Sequence, residues 1–239
     1  MPIYCITGTN RGLGLEFVRL LAQSSDNTIL ATTRPGADLA DLKAIASATT
    51  HILSCDTGDV ESIRTFAQEA SKLLAGCKIN FLLNNAGVNN TPEGETSLSL
   101  DADNLSRQMR INVIGPAKTL EFLLAQDALD ANVRVLNMTS GLASMEVSLS
   151  IVPRKACGYS ISKAALNMLA VHQSEDLRSK LPGAVVIVMD PGWVKTRMGG
   201  VGAILEPEES IGSALKTLHG LKDEDNGKFF TYNGQIKAW

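Results

Sequence analysis

The sequence has 239 residues, of which 44% are hydrophobic and 20% are charged, which is enough apolar material for the core of one large globular domain. Its formal net charge of -3 and the lack of any run of Lys and Arg argue against nucleic acid or an anionic membrane as a partner. Scattered cysteines, separated histidines and no apolar run of bilayer length predict a cytoplasmic protein without a disulfide framework or a metal site.

The chain begins with the pattern strand, glycine-rich turn, helix. An apolar run at residues 3–7 leads into glycines spaced Gly-x-x-x-Gly-x-Gly, and apolar residues at helical spacing follow from Leu15 to Leu21. Glycines let the backbone approach a bulky ligand closely, and the start of the next helix offers free N–H groups to a phosphate. The turn therefore predicts a nucleotide site with the contacts Gly8, Asn10, Arg11, Gly12, Leu13 and Gly14.

The second predicted strand, residues 28–33, ends in Arg34. In a fold of alternating strands and helices, an acidic residue here would bind the ribose 2′-hydroxyl of NAD, whereas an arginine suits the 2′-phosphate of NADP. Arg11 in the glycine turn can approach the same phosphate, since guanidinium–phosphate pairs are strong and geometrically specific. Either arginine alone is equally well explained as a solvated surface residue, but the two together favour NADP.

Further repeats of strand and helix follow this first unit. Asp38 and Asp59 are predicted to cap helices. Strands are predicted at residues 51–55, which Asp56 follows, and at residues 79–83. Strands that alternate with helices at this interval predict an α/β fold, a single Rossmann-type doubly wound parallel sheet with helices on both faces that spans residues 1–239.

A long helical pattern starts at Asp101 and carries a polar Asn112 within an apolar stretch. Because Pro116 lacks a backbone donor, we expect the helix to bend near Asn112, whose side chain would be an interior polar plug. A fifth strand is predicted at residues 133–136. Ser140 comes shortly after it, at the strand end where ligands of open α/β sheets bind.

A connector without periodicity at residues 141–158 precedes a helix predicted from Tyr159 to about Lys180. Tyr159 and Lys163 are four residues apart, so both leave the same helix face, and an ammonium beside a phenol lowers the tyrosine pKa from about 10. The pair predicts a proton donor and the group that tunes it. Two residues on a solvated helix face are the competing interpretation, which the spacing by itself leaves open.

The rest of the chain completes the alternating pattern. An apolar strand at residues 184–189 runs into Asp190 and Pro191, and a short glycine-rich substrate loop is predicted at about 195–206. A helix at 210–218 and a strand at 227–232 follow.

Taken in order, the motifs resemble those of the short-chain dehydrogenase/reductase family. The matching positions run from residue 3 to residue 196, so they cover most of the chain. The end of the sequence, residues 227–239, is similar to that of the carbonyl-reductase branch that includes the C-factor and sniffer proteins. The motifs are the glycine turn after Thr7, Asn84-Asn85-Ala86-Gly87, Asn112, Ser140, Tyr159-x-x-x-Lys163 and Pro191-Gly192.

The resemblance implies a role for each matched residue. Tyr159 would protonate a carbonyl oxygen as the general acid, and Lys163 would tune it and hold the nicotinamide ribose. Ser140 would hydrogen-bond the same carbonyl oxygen, and Asn112 would hold a water that links Lys163 to solvent. The rest of the NADP(H) site would consist of Asp56 at the adenine, Asn85, Ala86 and Gly87 on the adenosine side, and Pro191, Gly192, Val194 and Thr196 around the nicotinamide.

Two departures from the family pattern affect the substrate side. The interval from Ser140 to Tyr159 is long, which leaves Ser144 as a competitor for the serine role, although Ser140 lies nearer the strand end. The segment after Thr196 is short, which predicts a wide pocket or a wall supplied by a second subunit in a homodimer or homotetramer. An apolar or aromatic substrate is expected because the residues predicted to line the pocket are Met145, Glu146, Val147, Ile151, Val152, Trp193 and Met198.

The leading functional hypothesis is an NADPH-dependent oxidoreductase that reduces a ketone or aldehyde to an alcohol by hydride transfer. The alternative is a catalytically silent NADP(H)-binding signalling or scaffold protein of the same fold, against which the intact set of four catalytic residues argues. A serine hydrolase fares worst, because the sequence has no Gly-x-Ser-x-Gly motif and no carboxylate placed to form a triad with His172.

Overall fold

A computed structural model describes all 239 residues and contains one sheet of seven parallel strands. The strands are β1 Ile3–Ile6, β2 Thr28–Thr33, β3 Thr50–Ser54, β4 Ile79–Asn84, β5 Leu129–Met138, β6 Val185–Asp190 and β7 Phe229–Thr231. They lie in the order β3-β2-β1-β4-β5-β6-β7. Every predicted strand is present, and β5 differs most, since it begins four residues before the predicted start at 133.

The helices cover both faces of this sheet. Asp59 caps a helix as predicted, since its carboxylate accepts a hydrogen bond from the Glu61 N–H at 3.0 Å. Asp38 lies one residue before the cap position Leu39, although its carboxylate accepts from the Ala40 N–H at 3.0 Å. A π-helical turn at Arg110–Ile114 joins two of the helices. The helices are α1 Gly12–Leu21, α2 Ala40–Ile45, α3 Val60–Leu74, α4 Ala102–Met109, α5 Gly115–Ala125, α6 Met145–Ser150, α7 Cys157–Arg178 and α8 Pro207–His219.

The prediction of an irregular connector at residues 141–158 was partly wrong. A 3₁₀ turn at Gly141–Ala143 and the helix α6 lie within it, and α7 already starts at Cys157. Six residues are too few to produce a helical apolar stripe, so periodicity could not reveal α6. Its start is instead fixed by a cap, because the Ser144 hydroxyl accepts a hydrogen bond from the Val147 N–H at 3.1 Å.

The alternation of side chains along the strands divides the core into two layers. In β6, Val186 and Val188 pack into the layer beneath α3, α5 and α7, whereas Val185 and Ile187 pack into the layer beneath α1 and α8. Strands buried on both faces read as continuous apolar runs, as residues 184–189 do in the sequence. None of the helices has both the length and the apolarity that crossing a bilayer requires.

The sheet reverses its order of connection next to β1. The chain runs outward from β1 to β2 and β3 and then returns to the other side of β1 as β4. At such a switch point the loops that follow the two central strands turn in opposite directions and leave a crevice at the carboxyl ends of the strands. The glycine turn after β1 and the loop after β4 therefore border one cleft.

Candidate active site

The glycine turn after β1 is packed tightly against the loop after β4. Gly8 and Gly12 have φ values of +73° and +59°, which side chains other than glycine rarely allow. A Cβ atom on Gly14 would lie 2.1 Å from the Gly8 carbonyl oxygen. The Asn85 side chain donates to the Thr7 carbonyl oxygen at 2.8 Å and so holds the turn in place. The start of α1 carries neither a side-chain cap nor an acidic residue, which leaves its N–H groups free for an anion.

A cavity of about 440 Å³ lies above this turn, at the switch point of the sheet. It extends from the glycine turn to Tyr159 and Lys163 on α7, so the predicted cofactor residues and the predicted proton donor face one space. The predicted residues that line it are Gly8, Asn10, Arg11, Gly12, Leu13, Arg34, Asp56, Asn85, Ala86, Gly87, Tyr159, Lys163, Pro191, Thr196 and Met198.

Three predicted cofactor contacts do not line the cavity. Gly14 lies beneath the glycine turn, where its lack of a Cβ atom lets α1 pass close to Gly8. Gly192, with a φ of +80°, packs against the side chains of Leu205 and Tyr232. Val194 is buried. These three residues support the residues that line the cavity and do not themselves line it.

Four arginines line the cavity, and none of them forms an ion pair within the protein. Arg11 and Arg34 were predicted from the sequence, whereas Arg107 and Arg197 were not. The only carboxylate in the lining is that of Asp56. No sequence signal marked Arg107 and Arg197, because they come from α4 and from the loop after β6, which only the fold brings together. The cavity therefore has an excess of positive charge in a protein with a net charge of -3.

A buried chain of amides fixes α7 against the sheet. The Asn84 side chain on β4 donates to Asn137 on β5 at 2.8 Å, and Asn137 donates to Gln173 on α7 at 3.0 Å. Lys163, which is also on α7, donates from Nζ to the Met138 carbonyl oxygen at 2.7 Å. Because buried amides must be paired, this chain defines the position of α7 along the strands.

The protonation of the Tyr159 and Lys163 pair differs from the sequence prediction. Burial and, to a lesser degree, the negative charge of Asp190 raise the pKa of Tyr159 to about 12, although the Ser140 side chain acts in the lowering direction. Burial also lowers the pKa of Lys163 to about 7, so this lysine is only partly charged at neutral pH. The sequence predicted a lowered tyrosine pKa, whereas in this structure the pKa is raised, because burial disfavours the charged phenolate.

Asn112 lies in the π-helical turn between α4 and α5, which confirms the predicted irregularity at this point. Its side chain is fully buried, accepts a hydrogen bond from the Val88 N–H at 2.8 Å and donates to the Ser162 hydroxyl at 3.0 Å. It is thus the interior polar plug that the sequence indicated. A Cβ atom on Gly87 would lie 3.3 Å from both the Asn112 Oδ1 and the Lys163 Nζ atoms, so these groups approach one another above Gly87.

The two candidate serines have different surroundings. Ser140 follows β5, its hydroxyl accepts a hydrogen bond from the Leu142 N–H at 3.2 Å, and its side chain is near enough to Tyr159 to lower the pKa of the phenol. The Ser144 hydroxyl is fully buried, caps α6 and donates to the Trp239 carbonyl oxygen at 3.4 Å. Only Ser140 therefore has a hydroxyl that faces the tyrosine.

The residues predicted to line the substrate pocket lie mostly outside the cavity above the glycine turn. Of the predicted residues only Met198 lines the cavity. Met145 at the start of α6 and Val152, two residues after its end, are both mostly exposed to solvent. The Trp193 ring is half exposed, and its Nε1 donates to the Gly199 carbonyl oxygen at 2.7 Å.

The last five residues, 235–239, return to the substrate side of the cleft, which the sequence did not predict. Lys237 forms an ion pair with Asp190 at 3.1 Å. The Trp239 carbonyl oxygen accepts from the Glu146 N–H at 3.1 Å. The position of Asp190 at the carboxyl end of β6 was a signal that could have identified it, whereas nothing local marks Lys237.

Comparison with known proteins gives consistent matches. The sequence profile of the short chain dehydrogenase family matches residues 2–202. The chain is 35% identical to C-signal from Myxococcus xanthus over 163 residues, which are 67% of this chain and 93% of that protein. Its fold is similar to that of the NADPH-bound carbonyl reductase from chicken fatty liver, with a TM-score of 0.90, 31% identity and 100% of both chains covered. Carbonyl reductase Sniffer of D. melanogaster is also similar over 100% of both chains, with a TM-score of 0.88 and 27% identity.

Proposed function

The chain belongs to the short-chain dehydrogenase family, and we propose that it is an NADPH-dependent oxidoreductase that reduces a ketone or aldehyde to an alcohol. The observation that carries the proposal is one cavity that joins the glycine turn and its arginines to the buried pair Tyr159 and Lys163. The NADPH-bound carbonyl reductase of similar fold supports the same cofactor and reaction class.

The cofactor assignment rests on the charge and shape of the cavity. The free N–H groups at the start of α1 would hold the diphosphate, and Arg11 and Arg34 would hold the 2′-phosphate of NADP(H). Arg107 and Arg197, which also have no carboxylate partner, add positive charge for a polyanionic ligand. When bound, NADPH supplies the hydride.

The residues around Tyr159 would supply the proton. Its raised pKa keeps the phenol protonated at neutral pH, so it can give the proton to a carbonyl oxygen as that oxygen gains negative charge. Ser140 would donate a hydrogen bond to the same oxygen. Lys163, with a pKa of about 7, can pass a proton back toward Tyr159 near neutrality, and Asn112 would order a water on that path.

An apolar or aromatic carbonyl compound is the substrate class that we propose. Met198 lines the cavity, and Trp193 is half exposed beside it on the loop that begins after β6. We assign residues 195–206 as the substrate loop, since the backbone of Lys195 pairs with that of Leu205 and closes the segment on itself. An apolar rim favours substrates that lose little hydration on entry.

The test is consumption of NADPH with a panel of aliphatic and aromatic ketones and aldehydes. Wild type should consume NADPH, and Tyr159→Phe should reduce kcat by about 10²- to 10⁴-fold, the usual contribution of a general acid, while it still binds NADPH. Equal activity of the two proteins would contradict the role of Tyr159.

The alternative of a silent NADP(H)-binding protein predicts a different result in the same assay. NADPH would bind to both wild type and Tyr159→Phe, and neither would turn over any compound of the panel. The buried and costly placement of Lys163 favours the enzyme, because a charged group without a chemical role gains nothing from desolvation.

We further propose that the protein is a homo-oligomer that associates through α7. Ile161, Met168 and Val171 lie on one face of this helix and are each at least 40% exposed. A stripe of exposed apolar side chains on a long helix is better stabilised against a second copy than in water. Light scattering should give a mass above that of one chain, and a monomer at micromolar concentration would refute the proposal.

A further inference from the structure

Asp190 and Lys237 form an ion pair beside the proposed proton donor. The Asp190 Oδ2 and Lys237 Nζ atoms are 3.1 Å apart, and their side chains are only 13% and 18% exposed. The Asp190 Oδ1 atom accepts from the Gly192 N–H at 3.0 Å, which fixes the carboxylate at the end of β6. A Cβ atom on Gly141 would lie 2.7 Å from Asp190 Oδ2 and 3.2 Å from Lys237 Nζ, so the pair packs directly against the residue after Ser140.

The protein holds Lys237 in this position through the segment 235–239. The Lys237 N–H donates to the Phe229 carbonyl oxygen at 2.8 Å, and the Trp239 ring packs on the Phe229 ring with centroids 5.4 Å apart. On its other side the Trp239 carbonyl oxygen accepts from the Glu146 N–H at 3.1 Å. Contacts at both ends of a short segment fix its backbone, so the ammonium is held at Asp190 at a low entropic cost.

The charges that surround Tyr159 come from several elements. Lys163 lies on the same helix, Ser140 follows β5, and Asp190 ends β6. Glu95, in the loop after β4, accepts from the Gly158 N–H at 3.1 Å. Arg197 lines the cavity from the loop after β6, and Arg107 lines it from α4.

Asp190 is the group in this set that directly opposes ionisation of Tyr159. Its negative charge raises the pKa of the phenol in addition to the effect of burial. Lys237 is the only cation that forms an ion pair with Asp190. Without Lys237, the Asp190 carboxylate would remain partly buried and unpaired against Gly141, the residue after Ser140, where its charge disfavours the phenolate of Tyr159.

We propose that Lys237 is a positioning residue for the proposed oxidoreductase, which offsets the charge of Asp190 and thereby lets Tyr159 exchange its proton with the substrate oxygen. In reduction, the Tyr159 O–H bond breaks and an O–H bond forms on the former carbonyl oxygen, while NADPH gives a hydride to the carbon. In oxidation, the phenolate takes the alcohol proton and NADP⁺ takes the hydride. The proposal rests on the proposed function, since it concerns the same tyrosine.

The two directions of reaction respond differently when Lys237 is lost. Alcohol oxidation needs the phenolate, so its rate rises with pH through the Tyr159 pKa, whereas carbonyl reduction needs the phenol. Lys237→Met leaves Asp190 unpaired, which favours the phenol and moves the rising limb of oxidation to higher pH. A displacement of one pH unit reduces the oxidation rate about tenfold at a fixed pH on that limb, with a much smaller change in reduction.

The experiment compares the pH profiles of wild type, Lys237→Met, Asp190→Asn and the double variant. Asp190→Asn should move the limb to lower pH, and adding it to Lys237→Met should restore oxidation to at least the wild-type level. The control is Lys228→Met, which breaks a comparable ion pair with Asp225 at 2.9 Å away from the cleft and should leave the profile unchanged. The proposal is overturned if the pH dependence of alcohol oxidation in Lys237→Met matches that of wild type. It is also overturned if the double variant has the wild-type melting temperature but does not regain the oxidation rate.

A second readout does not depend on turnover. The near-ultraviolet difference absorbance between each protein and its Tyr159→Phe counterpart reports the ionisation of this single phenol. At a fixed alkaline pH, Lys237→Met should lower the fraction of phenolate and Asp190→Asn should raise it, even if no carbonyl compound is reduced. If no carbonyl compound is reduced but the ionisation of Tyr159 changes in the variants, the effect of Lys237 and Asp190 on the tyrosine stands without the proposed function. If carbonyl compounds are reduced but the ionisation of Tyr159 is unchanged, only the role of Lys237 is refuted.

Discussion

The two halves of the cleft are built in different ways. The cofactor half combines a tightly packed glycine turn, in which Gly8 and Gly14 lie against the loop after β4, with arginine side chains that have no carboxylate partner. The substrate half is assembled from α6, the loop after β6 and residues 235–239, which are distant in the sequence, and it leaves Met145 and Trp193 exposed.

This difference predicts which half of the cleft tolerates amino-acid substitutions. A phosphate site that uses backbone N–H groups requires close approach, so almost any added atom disturbs it. A substrate rim made of side chains on separate segments can vary without loss of the fold, because surface loops carry few buried contacts. We therefore expect substitutions in the cofactor half to act on binding in large steps and those in the substrate half to act gradually on selectivity.

The largest effect is expected from Gly14→Ala. The new methyl group would overlap the Gly8 carbonyl oxygen, so the turn must shift, which should cost about 1–3 kcal/mol of stability and abolish measurable NADPH binding. Gly212→Ala is the matched control, since it has open space within α8 and should stabilise the protein by about 0.5–1 kcal/mol. Denaturant unfolding and NADPH fluorescence titration measure both, and unimpaired NADPH binding by Gly14→Ala would show that the turn is not the phosphate site.

A smaller and more selective effect is expected from Arg34→Gln. Loss of a charge-assisted hydrogen bond to the 2′-phosphate costs about 1.5–3 kcal/mol, so the Kd for NADPH should rise about 10- to 100-fold while the Kd for NADH stays constant. Arg64→Gln serves as the control because Arg64 is exposed and pairs with Glu61 outside the cleft. A parallel loss of NADPH and NADH affinity would indicate a structural role for Arg34 instead.

The smallest effect is expected from Trp193→Ala in the substrate half. The Trp193 ring packs over Gly202, where a Cβ atom would lie 2.9 Å from Cη2, and its removal frees the loop that it holds. We expect the KM for the best carbonyl substrate to rise about 3- to 10-fold with less change in NADPH affinity. Trp193→Phe keeps most of the ring and loses the bond to Gly199, so it should lie between the two. A larger change in NADPH affinity than in KM would reverse the assignment of the two halves.

Much of the architecture was accessible from the sequence. The family resemblance, the parallel doubly wound sheet and the irregular helix at Asn112 are confirmed. These features depend on local patterns, such as continuous apolar strands, a glycine turn before a helix, and a proline within a helical run. The roles of Ser140, Tyr159 and Lys163 stay predictions that the proposed assays test.

Three features were not accessible in this way. The α6 helix is too short to have a period, so its outward-facing side chains were assigned to the pocket. The pKa of Tyr159 depends on how fully the phenol is desolvated, which spacing along a helix does not report. Arg107 and Arg197 carry no motif and are identified only by the cavity that they share.

The sequence by itself determined the fold, the family and the half of the cleft that suits a phosphate-bearing cofactor, because each of these is indicated by patterns of residues close together in the chain. Only the tertiary structure decided the charge around Tyr159. In the folded protein, Asp190 at the end of β6 forms an ion pair with Lys237, which is distant in the sequence. The charge of Asp190 acts on Tyr159. Electrostatic interactions depend on distance through space and on burial, and neither can be read from positions along a chain.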